Sequence, residues 1–181
     1  MMNTQTAYDI EPSAVMSLSA DDILDVLARQ TTASVTYALA DGHMRTTREP
    51  YVLVDYALYL PSSPSLGAFV SNGGAAGYLG ESRRPGGQSA QTVECEINEL
   101  DGLTEWRYVW LRGCATLLQP TGGASERNSW RLGIERLRAV VPRFRDASVE
   151  ALAFGNFGVV RLASLEPSGV RLTLEGGMIP M

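Results

Sequence analysis

The chain contains no lysine: all 15 of its basic residues are arginine. That excludes a lysine nucleophile or Schiff base, and the lysine of a Walker phosphate loop. A single histidine, His43, is too few for a histidine-built zinc site or for a histidine triad within one chain. Cys95 and Cys114 lie far apart and outside any CxxC spacing, and both read as small apolar strand residues of a reducing compartment. No apolar run approaches bilayer-spanning length. The opening MMNTQTAYDIEP lacks the cationic and apolar regions of a signal peptide. A cytoplasmic protein that does not enter a membrane is expected. The net charge of −5 argues against nucleic acid or anionic lipid as the main partner.

What remains is globular. The 181 residues are 45% apolar and 19% charged, enough for one sizeable core and one domain. Residues 1–17 read as a flexible N-terminal arm and 18–181 as a single domain. LSADDILDVLARQT predicts a helix that Ser19 caps, with Asp22 completing a capping box and Ile23, Val26 and Leu27 as its apolar stripe. ASVTYAL and HMRTTREPYVLV form a hairpin through Asp41-Gly42, and ALYL follows as a short strand. PSSPSLGAFVSNGGAAGYLGESRRPGGQS reads as a short helix and then a mobile glycine-rich loop. QTVECEI pairs with the strand after it, across NELDGLTE. Trp130, Ile134, Leu137 and Val141 predict a helix from about 125 to 141, ended by Pro142, and ASVEALAF adds a shorter one. FGVVRLASLEP is the last strand, before GVRLTLEGG. The order predicts an α+β fold with a mostly antiparallel sheet curled into a barrel.

The most informative stretch is WRYVWLRGCATLL, residues 106–118. Val109, Leu111, Gly113, Ala115 and Leu117 make a core face. The other face carries Trp106, Tyr108, Trp110 and Arg112, residue types that mark interfaces and ligand sites. Three readings stay open for it: cover by the helix at 125–141, a seam between two copies, or contact with a ligand. HMRTTREP places Arg45 and Arg48 around two threonines on a strand, a donor set suited to phosphate or to pairing with Asp55 or Glu49. PSSPS puts hydroxyls before a helix, as an anion site or as ordinary capping. Arg83 and Arg84 could close over an anion or be solvated, while Arg131, Arg138, Arg145, Glu94 and Glu96 read as wet faces. His43 is an exposed turn residue, an acid–base group or an axial haem ligand.

Together these pieces resemble the pyridoxamine 5′-phosphate oxidase-like family, the FMN-binding split barrels, over roughly residues 18–172. The resemblance rests on the leading helix, DGHMRTTREPYVLVDYALYLPSS, EWRYVWLRGCATLL with its Gly113-x-Ala115, and FGVVRLASLEPSGVRL. It implies a mostly antiparallel six-stranded split β-barrel with flanking helices. It also implies a homodimer with FMN in a groove at the seam, and an FMN-dependent oxidoreductase of an unknown small-molecule substrate. By the same match, Arg45, Thr46, Thr47 and Arg48 face the cofactor, Ser62 and Ser63 lie beside its phosphate, and Trp106, Arg107 and Tyr108 approach it from the other side. Many members carry a lysine after the serines, whereas this chain has SSPSLGAF. Either Arg45 or Arg48 takes that role, or the chain is a cofactor-free dimeric binding or regulatory module. A haem or deazaflavin binder on the same fold is the remaining alternative.

Overall fold

The computed structural model describes residues 14–39, 41–71, 82–83, 89–102 and 104–173. In chain order the elements begin with β1 (Ala14–Ser17), α1 (Ala20–Arg29), β2 (Thr32–Ala38), β3 (Met44–Pro50), β4 (Val52–Val54), β5 (Ala57–Pro61) and α2 (Pro64–Ser71). They continue with β6 (Ser82–Arg83), β7 (Ser89–Asp101), β8 (Glu105–Leu118), α3 (Ala124–Leu137), α4 (Pro142–Arg145), α5 (Val149–Phe154) and β9 (Val159–Thr173).

Every strand pairing is antiparallel, and the main path of the sheet runs β3-β2-β7-β8-β9-β5-β4, with β1 on β9 and β6 on β7. The edge strand β3 also approaches β5, so the sheet curls toward closure as a split barrel. The expected six strands become nine among the described residues. Part of the excess comes from Tyr51, which divides the expected strand 43–54 into β3 and β4. Its backbone N–H donates to Thr31 O at 2.9 Å and its hydroxyl to Leu27 O at 3.0 Å, which takes it out of the ladder.

Alternation along the strands fills the interior. Val35, Val93, Ile97, Val109, Leu111 and Leu162 are buried there together with Ile23, Val26 and Leu27 of α1. Ser19 starts α1 as expected: Asp22 N–H donates to Ser19 Oγ at 3.1 Å, and Ser19 N–H returns a bond to the Asp22 carboxylate at 3.2 Å. A second apolar layer lies on the other side of β5 and β9, where Trp130, Ile134 and Leu137 of α3 cover Tyr59 and Val159. Trp130 Nε1 donates to Phe157 O at 2.7 Å.

Two boundaries differ from expectation. Residues 14–17, read as the end of a loose arm, pair with β9 from Thr173 back to Val170, while residues 1–13 lie outside the described residues. The helix expected to run to Val141 stops at Leu137, and Pro142 opens α4 instead of ending α3. Val141 is extended, as a residue before proline prefers to be. The Arg138 guanidinium holds the turn by donating to Phe144 O at 3.3 Å and Arg145 O at 3.1 Å. The glycine-rich loop, with Arg84, lies outside the described residues, as does the side chain of Arg83. No helix among the described residues is long and apolar enough to cross a membrane.

Candidate functional site

The register of the sheet decides which candidate residues meet. Along the outward face, Trp106, Tyr108 and Trp110 of β8 stand opposite Leu100, Asn98 and Glu96 of β7 and opposite Leu172, Val170 and Ser168 of β9. The three rings stack as a ladder, with centroids 6.4 Å apart for Trp106–Tyr108 and 6.0 Å for Tyr108–Trp110. Of the three readings of this face, cover by α3 is removed, since α3 packs on Tyr59 and Val159. Trp106 and Trp110 keep 36% and 42% of their surface exposed.

The same face continues across β7 and β2 to the sheet edge. Thr36 pairs with Glu94 on one side and Thr46 on the other, and Ser34 pairs with Glu96 and Arg48. Thr36 and Thr46 join hydroxyls at 2.9 Å, and Arg48 donates to Thr32 Oγ1 at 3.4 Å. A groove of about 420 Å³ crosses this surface, lined by Thr36, Glu94, Glu96, Trp110, Arg112 and Ser168 among others. Arg112 sits between Glu94 and Glu166 in the register, so the groove floor is acidic around one guanidinium. Thr36 and Ser168 were not singled out in the sequence. Thr36 sits in plain alternation on ASVTYAL, whereas Ser168 joins this face only because β9 shifts register opposite Gly113.

Arg45 and Thr47 belong to the other face of β3, paired with Tyr37 and Val35. The Thr47 Oγ1 and the Tyr37 hydroxyl are both buried without a hydrogen-bond partner among the described residues. Neither Arg45 nor Arg48 forms an ion pair among the described residues, so the alternative of pairing with Asp55 or Glu49 is not what the fold uses.

Three further candidates are not brought to the outward face. Arg107, between Trp106 and Tyr108, turns the opposite way into a carboxylate network, 2.8 Å from Glu105, 3.6 Å from Glu99 and 3.8 Å from Asp25. Ser63 caps α2, its Oγ accepting from Leu66 N–H at 3.4 Å. Ser62 is held against Gly158, whose carbonyl accepts its N–H at 3.0 Å, and its Oγ occupies the space a side chain on Gly67 would need. Ser63 thus makes the ordinary capping contact that was one of the two readings of PSSPS. His43 is exposed in the β2–β3 turn, where its N–H donates to Asp41 Oδ1 at 3.0 Å. No group of three or more His, Cys, Asp or Glu side chains suited to a metal ion occurs among the described residues. Cys95 is buried, and desolvation, with the nearby Glu94 charge, pushes its thiol up to about 12.

No family model matches the chain, and no curated protein is detectably similar to it. Solved structures are. A FAD-binding protein from Mesorhizobium loti superposes with a TM-score of 0.59 at 16% identity, over 87% of this chain and 97% of that one. The FAD-binding protein from Mycobacterium smegmatis gives 0.54 at 15% identity, over 88% and 100%. A protein from Corynebacterium glutamicum, provisionally described as a pyridoxamine 5′-phosphate oxidase, gives 0.56 at 14% identity, over 89% and 100%. At these identities the likeness is one of fold, and the chain has the split-barrel fold that these flavin-binding and pyridoxamine 5′-phosphate oxidase-like proteins share.

Proposed function

We propose that the chain binds a flavin, FMN in the first instance, in a seam between two copies built on the outward face of β8. The observation that carries the reading is the stacked ladder Trp106–Tyr108–Trp110, left open on a sheet face whose edge strand presents Arg45 and Arg48. Two strands, β7 and β2, lie between this ladder and β3, giving three spacings of ~4.8 Å, about 14 Å in all, a span comparable to an extended flavin mononucleotide. The acidic groove floor at Glu94, Glu96 and Glu166 repels phosphate, which directs that end of the ligand to β3. Because β3 is the edge strand, side chains from both its faces reach a group lying along the edge: Arg48 and Thr46 from one, Arg45 and Thr47 from the other. The orphaned Thr47 hydroxyl fits such an acceptor. A bound flavin would supply electron transfer to and from a small-molecule substrate, and the chain would supply orientation and a shielded ring face.

The test is the visible absorption spectrum of the purified protein, with mass spectrometry of any released molecule, followed by titration with FMN and with FAD. Flavin bound near one per chain is expected. Replacing Arg45 and Arg48 together by glutamine is expected to weaken FMN by at least about tenfold through loss of charge-assisted phosphate bonds. A colourless protein that binds neither flavin overturns the reading in favour of a cofactor-free module.

A further inference from the structure

A second cavity, of about 820 Å³, opens between α1, the β4–β5 turn and the bend of β9. It shares only Leu111 with the groove on the outward face. Ile23, Leu24, Leu27, Leu53, Leu111 and Leu165 give it apolar walls, and its volume is that of a small-molecule site. Arg161 is the one cation in its lining among the described residues. That arginine forms no ion pair among the described residues, and its Nε is buried without a hydrogen-bond partner. A desolvated guanidinium N–H of this kind gains from an anionic acceptor.

Backbone strain converges on the same place. Among the described residues four non-glycine residues have positive φ, and three of them line this cavity: Asp55 at 47°, Tyr56 at 57° and Ser164 at 54°. Asp55 and Tyr56 form a two-residue turn between the paired Val54 and Ala57, a geometry that glycine adopts without penalty. A tyrosine there is disfavoured, and the residue, 75% exposed, recovers little by burial. An unfavourable aromatic residue held open at the edge of an apolar cavity is accounted for once a ligand covers the ring.

We propose that this cavity binds a small aromatic monoanion, a carboxylate by preference. Its apolar body lies among the leucines, its anionic group bonds to Arg161, and the Tyr56 ring packs over it. The site is separate from the flavin seam and goes beyond that reading, so the two can fail independently.

Calorimetric titration of flavin-free protein with naphthoate tests it, with the neutral naphthalenemethanol as control. Naphthoate is expected to bind more tightly than the alcohol. Arg161→Gln should remove at least about tenfold of the naphthoate affinity while leaving the alcohol nearly unchanged. Leu24→Trp, which fills the cavity from a half-buried helix position, should weaken both ligands. Tyr56→Gly should weaken naphthoate yet raise the Tm, since it relieves the turn. No naphthoate binding, or binding that both Arg161→Gln and Leu24→Trp leave unchanged, overturns the proposal. Displacement of naphthoate by saturating FMN overturns it as a separate site.

Discussion

Trp106 and Arg107 are neighbours in sequence with opposite surroundings, because successive strand residues face opposite ways. The tryptophan joins the open ladder, while the arginine is committed to Glu99, Glu105 and Asp25. Arg171, its register partner on β9, lies 3.3 Å from the same Glu105 and 3.5 Å from Asp22, so the two arginines share carboxylates instead of repelling freely. Asp22 thus ties the start of α1 to the sheet while closing the capping box. Its carboxyl is held below its ordinary value of 3.8, first by the Ser19 side-chain and backbone hydrogen bonds, then by the Arg171 and Arg107 charges. A lowered folded-state value stabilises the fold above the unfolded carboxylate value, and this contribution disappears as pH falls through the folded one. Acid titration of the far-ultraviolet circular dichroism should therefore show Asp22→Asn losing less stability than wild type between pH values near 4 and the lower folded value. At neutral pH, Ser19→Ala should cost about 1 kcal/mol, measured by urea denaturation.

At the scale of elements, α3 shows both how much the sequence discloses and where it stops. The apolar spacing of Trp130, Ile134 and Leu137 located the helix and its buried face. Its end did not follow from Pro142, since a proline fits the first turn of a new helix as well as the end of an old one. Likewise the capping box and the DG hairpin were legible because each is a local device. The exposure of the ladder was not, because it depends on where α3 packs. The bulge in β9 was also hidden: only the pairing of β8 shows that Gly113 faces two residues there, which moves Glu166 and Ser168 onto the groove face. The missing lysine after Ser62-Ser63 was legible, yet the contact of Ser63 with Leu66 N–H needed the fold to show it. Close approach of α3 to β5 is set by Gly133, where an added Cβ would stand 2.6 Å from Tyr59 Cδ1 and 3.0 Å from Val159 Cγ1. Gly133→Ala should therefore destabilise by roughly 1–3 kcal/mol despite its better helix propensity, because it overpacks that interface. A denaturation midpoint at or above wild type would show that α3 can shift away without loss.

At the scale of the whole molecule, the apolar surface is distributed unequally between the two sides of β8. The interior face is closed by α1 and the curled sheet, whereas the outward face leaves Trp106, Trp110 and Leu100 in solvent. On an isolated barrel this ladder would be an exposed aromatic patch, of the kind that marks an interface. In the proposed dimer a second copy related by a twofold axis would cover it economically, since the patch would meet itself, and Arg112 of each copy would lie near the carboxylates of the other. The proposed dimer makes Trp110, near the middle of this face, an interface anchor. Substituting Trp110→Glu puts a charge into that seam, at a cost of about 2 kcal/mol or more in association. Light scattering after size exclusion should give twice the chain mass for the wild type and a concentration-dependent shift to single-chain mass for the variant, with circular dichroism unchanged. If the flavin lies in the same seam, FMN affinity should fall in parallel with the dimer. A variant that stays dimeric and binds FMN as before would place both the second copy and the cofactor on another surface of the barrel.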